Sequence, residues 1–148
     1  MDLPGKEGKG ILMAMKGKDR HMKRLTLLRA GATKAANRVV VVGADMIRSD
    51  AHQGISRGSV SGKNHVPSRP GEYPNRDTGE LQAHLTTTNP KPLVAEVRSE
   101  AGHAAPLEFG TSKMAARPYM RPSRDKKTPA INRLFATEMD KLVKRSGK

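Results

Sequence analysis

From residue 22 onward the apolar positions of the chain fall into a helical rhythm. Leu25, Leu28, Ala32, Ala35, Val39, Val42 and Met46 recur at alternating intervals of three and four, which places them on one stripe of a helix. Arg24, Arg29, Lys34, Arg38 and Arg48 fall mostly off that stripe. The spacing predicts one long helix over about 20–50. A competing reading takes residues 39–42, followed by Gly43, as a buried strand, because β-branched residues suit strands. No Gly-x-Gly-x-x-Gly follows, however, and the helical spacing continues through Met46 and Ile47.

Ahead of this helix, residues 1–20 mix Gly5, Gly8, Gly10 and Gly17 with basic residues and read as a flexible basic N-terminal arm that orders on a partner. Residues 21–148 read as a single domain. Within it, residues 53–77 hold Gly54, Gly58, Gly62, Pro67, Pro70, Gly71 and Pro74 and predict a long Pro/Gly-rich loop, of the kind that is usually functional or disordered. Leu81, Ala83, Leu85 and Thr87 then alternate, as do Leu93, Ala95 and Val97, which predicts two half-buried antiparallel strands joined across Asn89-Pro90-Lys91-Pro92. Residues 103–111 read as a helical turn with a sharp bend at Gly110, and Pro118 and Pro122 bracket an extended piece presenting Tyr119 and Met120. Thr128 as N-cap and Pro129 as first helical residue open a last helix, whose apolar face is Ile131, Leu134, Phe135, Met139, Leu142 and Val143. The predicted fold is α+β, with a long N-terminal helix and a C-terminal helix packed on a small, mainly antiparallel sheet.

Composition narrows the function. Among 148 residues there is no Cys, which removes disulfide scaffolds, zinc–thiolate sites and cysteine nucleophiles. Hydrophobic residues are 35% and aromatic residues 3%, so the core must be made of small and aliphatic side chains. No apolar run approaches a membrane span, and the apolar stretch 11–15 is too short for a signal-peptide core. The expectation is a soluble protein kept within a cell or a particle, with no membrane partner.

The net charge of +14 is uneven: residues 1–50 and 112–148 are strongly basic, whereas 51–111 are balanced. Basic ends of this kind suit a polyanion, whether nucleic acid, an anionic membrane or an acidic protein surface, and equally fit a solvated surface that keeps the protein soluble. With Tyr73, Phe109, Tyr119 and Phe135 as the whole aromatic inventory, stacking on single strands has little support, and any DNA contact is expected through phosphates without sequence readout.

Catalytic patterns are missing. His21, His52, His65, His84 and His103 never stand at metal-ligand spacing, and no Gly-x-Ser-x-Gly, phosphate loop or dinucleotide fingerprint occurs. Glu96 and His84 read as solvent-face strand residues. Glu108, between Leu107 and Phe109 just before Gly110, is the carboxylate of interest; it is placed to accept backbone N–H bonds from the following turn, or to pair with Arg117 or Arg121. The expectation is a protein without enzymatic activity, cofactor or metal.

Two blocks carry a family likeness. The first is Glu108-Phe109-Gly110-Thr111-Ser112-Lys113-Met114-Ala115-Ala116-Arg117-Pro118-Tyr119-Met120-Arg121-Pro122; the second is Pro70-Gly71-Glu72-Tyr73-Pro74 followed by Asp77-Thr78-Gly79-Glu80-Leu81. In order and spacing they resemble the head–tail joining proteins of long-tailed bacteriophages, the neck, tail-completion or minor tail protein Z-like family. The likeness extends over about 20–145. It departs from the family at His103-Ala104-Ala105-Pro106, where a tyrosine-led turn is more usual, and at Ser123-Arg124 after the last proline. The resemblance implies a motif made of Thr78, Gly79, Leu81, Glu108, Phe109, Gly110, Thr111, Pro118, Tyr119 and Pro122. It implies a structural role in a virion at the head–tail junction, assembled in the host cytoplasm as a hexameric or dodecameric ring that joins connector or head-completion proteins to tail proteins.

Lys113, Arg117, Arg121 and Arg124 are then the expected contacts to protein or DNA, together with the 53–77 loop and the termini. Two rival readings stay open. One is a phosphate-contacting DNA-binding protein outside any particle; the other is a small hydrolase or nuclease using Glu108 or His103.

Overall fold

A computed structural model describes the backbone of residues 7–57 and 62–146, with side chains from residue 17 onward in those stretches. The elements are α1 (Glu7–Ser56), a 3₁₀ turn (Gly62–Asn64), α2 (Glu80–Ala83), β1 (Leu85–Lys91), β2 (Val94–Ser99), α3 (Ala104–Phe109) and α4 (Met120–Ser146). The class is α+β, with a long helix at each end of the domain and a two-stranded antiparallel sheet.

The first helix is longer than expected at both ends. Its 50 residues span about 75 Å at 1.5 Å per residue. Residues 7–20, read as part of a flexible arm, belong to it; residues 1–6 of that arm and 58–61 of the expected loop lie outside the described residues. Leu12, Met13, Ala14, Met15 and Lys16 are strong helix formers and outweigh the cost of about 1 kcal/mol that each interior glycine imposes. At the other end the helix continues past residue 50 because Ala51 and Ile55, fully buried, extend its apolar side into the core.

α4 runs antiparallel along α1. Leu142 lies over Gly31 and Ile131 over Gly43, where an added Cβ would come within 2.7 Å and 3.0 Å of those side chains, so the missing side chains let the two helices close. This helix starts at Met120, not at Thr128, and Pro129 sits inside it. The first turn explains the difference. Pro122 lies there, where no intrahelical N–H is needed, and the open N–H groups are taken up from another element, as described below. Pro129 removes one bond farther along, while the neighbouring Thr128 hydroxyl donates to the Arg124 carbonyl at 2.8 Å. Of the expected apolar face, Ile131, Leu134, Met139 and Leu142 are partly buried, whereas Phe135 and Val143 are exposed.

The alternation at 81–87 mixes two structures. Leu81 and Ala83 form the short helix α2, in which Leu81 is buried, and His84 caps its C-terminal end, with its Nδ1 2.8 Å from the Glu80 carbonyl. The strand begins only at Leu85, which pairs with Ser99, and the register continues Thr86 to Arg98, Thr87 to Val97 and Thr88 to Glu96. An irregularity follows at Asn89 and Pro90, a position proline tolerates because the ladder is already broken there. The reversal is therefore at Pro92-Leu93 and not across residues 89–92. Leu93 has φ 64°, the left-handed geometry of the third residue of a type II turn after proline, and its N–H donates to Asn37 Oδ1 of α1 at 2.9 Å. That bond pins the hairpin tip to the long helix.

The core gathers Ala51 and Ile55 of α1, Leu81, Leu85, Ala101, Ala104 and Tyr119, with Tyr73, Leu107 and Met120 packed against it. Beside it a polar tie joins α1, the loop and α4. Asp50, buried, receives Lys126 Nζ at 2.6 Å and Lys127 Nζ at 3.3 Å, and the Tyr73 hydroxyl donates to its other oxygen at 3.3 Å while lying 2.9 Å from Ser123 Oγ. The Tyr73 ring lies so close on Gly54 that a Cβ there would meet it at 2.2 Å.

Burial by itself raises the Asp50 carboxyl, but the hydrogen bonds and charges of Lys126 and Lys127 outweigh it and hold the group below its ordinary value. A carboxylate lowered in the folded state adds stability that is fully present above its unfolded pKa of about 4 and is lost as pH falls through the folded value, because the unfolded chain takes the proton first. Urea titrations at successively lower pH below about 4 are expected to show this loss. Asp50→Asn should flatten that part of the profile and lower stability at neutral pH. An identical acid profile in the variant would contradict the assignment.

Candidate functional site

The block 107–124 builds one side of an open groove. α3 ends at Gly110, whose φ of 77° and ψ of 178° belong to a region essentially reserved for glycine. A Cβ there would also sit 3.0 Å from the Ala116 nitrogen and the Met114 oxygen. The chain then makes a tight turn in which Thr111 and Met114 exchange backbone bonds of 2.8 Å and 3.3 Å, and it returns so that the Arg117 N–H donates to the Leu107 carbonyl at 2.7 Å. Tyr119 follows, 1% exposed, as the largest fully buried side chain among the described residues. Burial pushes its phenol above the ordinary value.

Glu108 locks this turn to the start of α4. Its Oε2 accepts the N–H groups of Tyr119 at 2.9 Å and Met120 at 3.0 Å, and its Oε1 accepts that of Arg121 at 2.9 Å. The first N–H groups of a helix have no partner of their own, and they carry the positive end of its dipole. One carboxylate thus satisfies three of them from a different element. The geometry makes Glu108 an anchor.

The groove lies between this block, α1 and β2. It has a volume of about 1080 Å³, with Val40, Ala44 and Ile47 of α1 and Ala95 and Val97 of β2 among its apolar walls. Phe109 stands at its margin, 82% exposed, and Arg121 and Arg124 also line it. Among the described residues β2 pairs only with β1, so its other edge is open.

The expected contact residues divide accordingly. Arg121 and Arg124 lie along the groove, the latter also bonded to Asp125 at 2.7 Å, and Lys113 is exposed in the turn at 111–114. Arg117, partly buried, also makes an internal bond, its Nε donating to the Ser68 carbonyl at 2.9 Å while Gly71 N–H donates to the Ala116 carbonyl, which ties residues 68–71 to this block. Tyr119, expected on an extended exposed piece, is core, and Pro118 and Pro122 are partly buried.

In the upstream block Gly79 has φ 87° and opens α2, while Thr78 is exposed and its hydroxyl lies 3.4 Å from the Glu80 nitrogen. Leu81 is core, away from the groove lining. Glu108 and His103, the pair needed by a hydrolase, line different cavities, His103 facing the one beside Arg76, Asp77 and Glu80.

Two features escaped the sequence reading. The α1 wall of the groove, with Val40, Gly43 and Ala44, is signalled only by small and β-branched residues that look like ordinary helix stripe. The Asp50–Tyr73–Ser123 tie joins residues far apart in sequence and has no local signature.

Among the described residues no group of three or more His, Cys, Asp or Glu could hold a metal ion, and no helix is long and apolar enough to cross a membrane. Comparison with protein-family models, with curated proteins and with solved structures finds no match.

Removing the Glu108 carboxylate leaves three helix N–H groups without their charged acceptor. Glu108→Ala is expected to lower the unfolding free energy by about 2–4 kcal/mol, read as a lower urea midpoint at unchanged slope. Glu108→Gln, which keeps one oxygen and loses the charge, should fall between. A loss below about 0.5 kcal/mol in the alanine variant would contradict the anchoring role.

Proposed function

We propose that this chain is a structural, non-catalytic subunit of the head–tail junction of a bacteriophage particle, a neck or tail-completion protein. One observation carries the reading. The block through which the chain resembles that family, residues 108–122, is held rigid by Glu108 and forms the side and margin of an open apolar groove lined in part by cations. A pre-ordered apolar surface of this kind lowers the ordering cost of docking, which is what an assembly component needs. Its partners are further copies of itself and the connector and tail proteins on either side. The ring is read as six subunits, and native mass spectrometry distinguishes that from twelve.

The direct test is an early stop codon in the gene within its phage, followed by electron microscopy of the lysate. DNA-filled heads beside separate tails are the expected outcome. Intact, infectious particles would overturn the proposal and favour a phosphate-contacting DNA-binding protein that works outside the particle.

A further inference from the structure

A second surface lies at the far end of the α1–α4 pair. Lys34 and Arg38 of α1 and Lys141 and Arg145 of α4 line one open cavity of about 380 Å³ across the helix seam, with Glu138 as the single acid in its lining. Glu138 takes one of the four, Lys141 Nζ, at 2.8 Å. The cavity forms because Gly31 and Ala35 keep the helices close beneath it while the long cations stand at its sides.

The charge continues along α1. Arg20, Arg24, Leu27, Gly31, Lys34 and Arg38 follow at steps of four, three, four, three and four, and so share one stripe. From Arg20 to Arg38 this stripe is about 27 Å long at 1.5 Å per residue. Every residue from 17 to 27 is exposed, and Asp19 is the only acidic residue of α1 between 17 and 44.

We infer that this stripe and the four-cation cleft at its end bind the phosphate backbone of double-stranded DNA without reading its sequence. The inference does not depend on the groove or on the head–tail reading.

Three considerations choose duplex DNA over single strands and membranes. A duplex offers a continuous line of phosphates, so the four cations of the stripe, spread over about 27 Å, each meet one without any matched spacing. Single strands are bound through stacking rings interleaved with cations, and residues 17–44 contain no Phe, Tyr or Trp, with His21 their one ring. A membrane-lying helix needs an unbroken apolar face, yet Met22 and Leu25 are bracketed on their own stripe by Lys18 and Arg29, at steps of four, three and four.

The test uses the full chain and two duplexes of unrelated sequence, each about thirty base pairs, with affinity measured against salt concentration. Both duplexes should bind equally. With Lys141 held by Glu138, three cleft cations that each neutralise one phosphate account for roughly a fortyfold loss between about 50 and about 200 mM salt. Replacing Lys34, Arg38, Lys141 and Arg145 by Gln together should reduce the slope of log affinity against log salt by about 0.9 for each contact removed. Arg38→Gln alone, a single exposed change, should reduce it by about 0.9, and Arg98→Gln on β2 should leave it unaltered. Circular dichroism and the urea midpoint verify that each variant is folded. An unchanged slope in the folded four-fold variant, an equal loss from Arg98→Gln, no duplex binding at low salt, or capture by anionic vesicles in preference to DNA would each overturn the inference. None of those results bears on whether the stop mutant separates heads from tails.

Discussion

Three backbone N–H groups at the start of α4 converge on one carboxylate, and the architecture is organised around that contact. Without Glu108, the first turn of the helix would rely on water for its open donors, and nothing local would distinguish Met120 from Thr128 as its beginning. With it, α3 and α4 are joined at a fixed angle, Tyr119 is driven into the core, and the turn at 110–116 is closed against both. Gly110 is the condition for this, since the chain must reverse through a geometry that a side chain would oppose.

The rest of the stability is distributed along α1. Its middle carries α4 on a seam opened by two glycines and the hairpin tip on a single Asn37 bond, and its C-terminal part meets the core at Ala51 and Ile55. Residues 17–27 have no such support, because α4 ends opposite residue 27 or thereabouts and their side chains are exposed. Isolated helix is marginal in water, so a partner lying along those turns would gain a surface already shaped and strengthen a helix already formed. One end of the molecule is thus a packed unit with an apolar groove, and the other is a charged rod.

Much of this was legible. The three–four spacing from Leu25 to Met46 marks α1, the paired alternations mark a hairpin, and the apolar positions after residue 130 mark the last helix. What stayed hidden depended on tertiary contact. Thr128-Pro129 is a sound local start signal, but a carboxylate twelve residues upstream of Met120 moves the start. Leu81 and Ala83 alternate like a strand because in α2 the side facing the core lasts only one turn. Pro92-Leu93 gives no sequence signal for a left-handed residue, since leucine accepts that geometry here only with Asn37 holding its N–H. In the candidate site Glu108 was identifiable by its place before Gly110, whereas nothing local to Arg117 shows that its Nε latches the chain to Ser68.

Glu108 makes α4 begin where it does. Amide hydrogen exchange at Tyr119, Met120 and Arg121 tests this most directly, because N–H groups in the first turn of a helix are ordinarily open to solvent and exchange fast. These three are expected to be protected nearly as well as the interior of the α1–α4 pair, and all three to lose protection together in Glu108→Ala. Rapid exchange at these amides in the unaltered protein would contradict this.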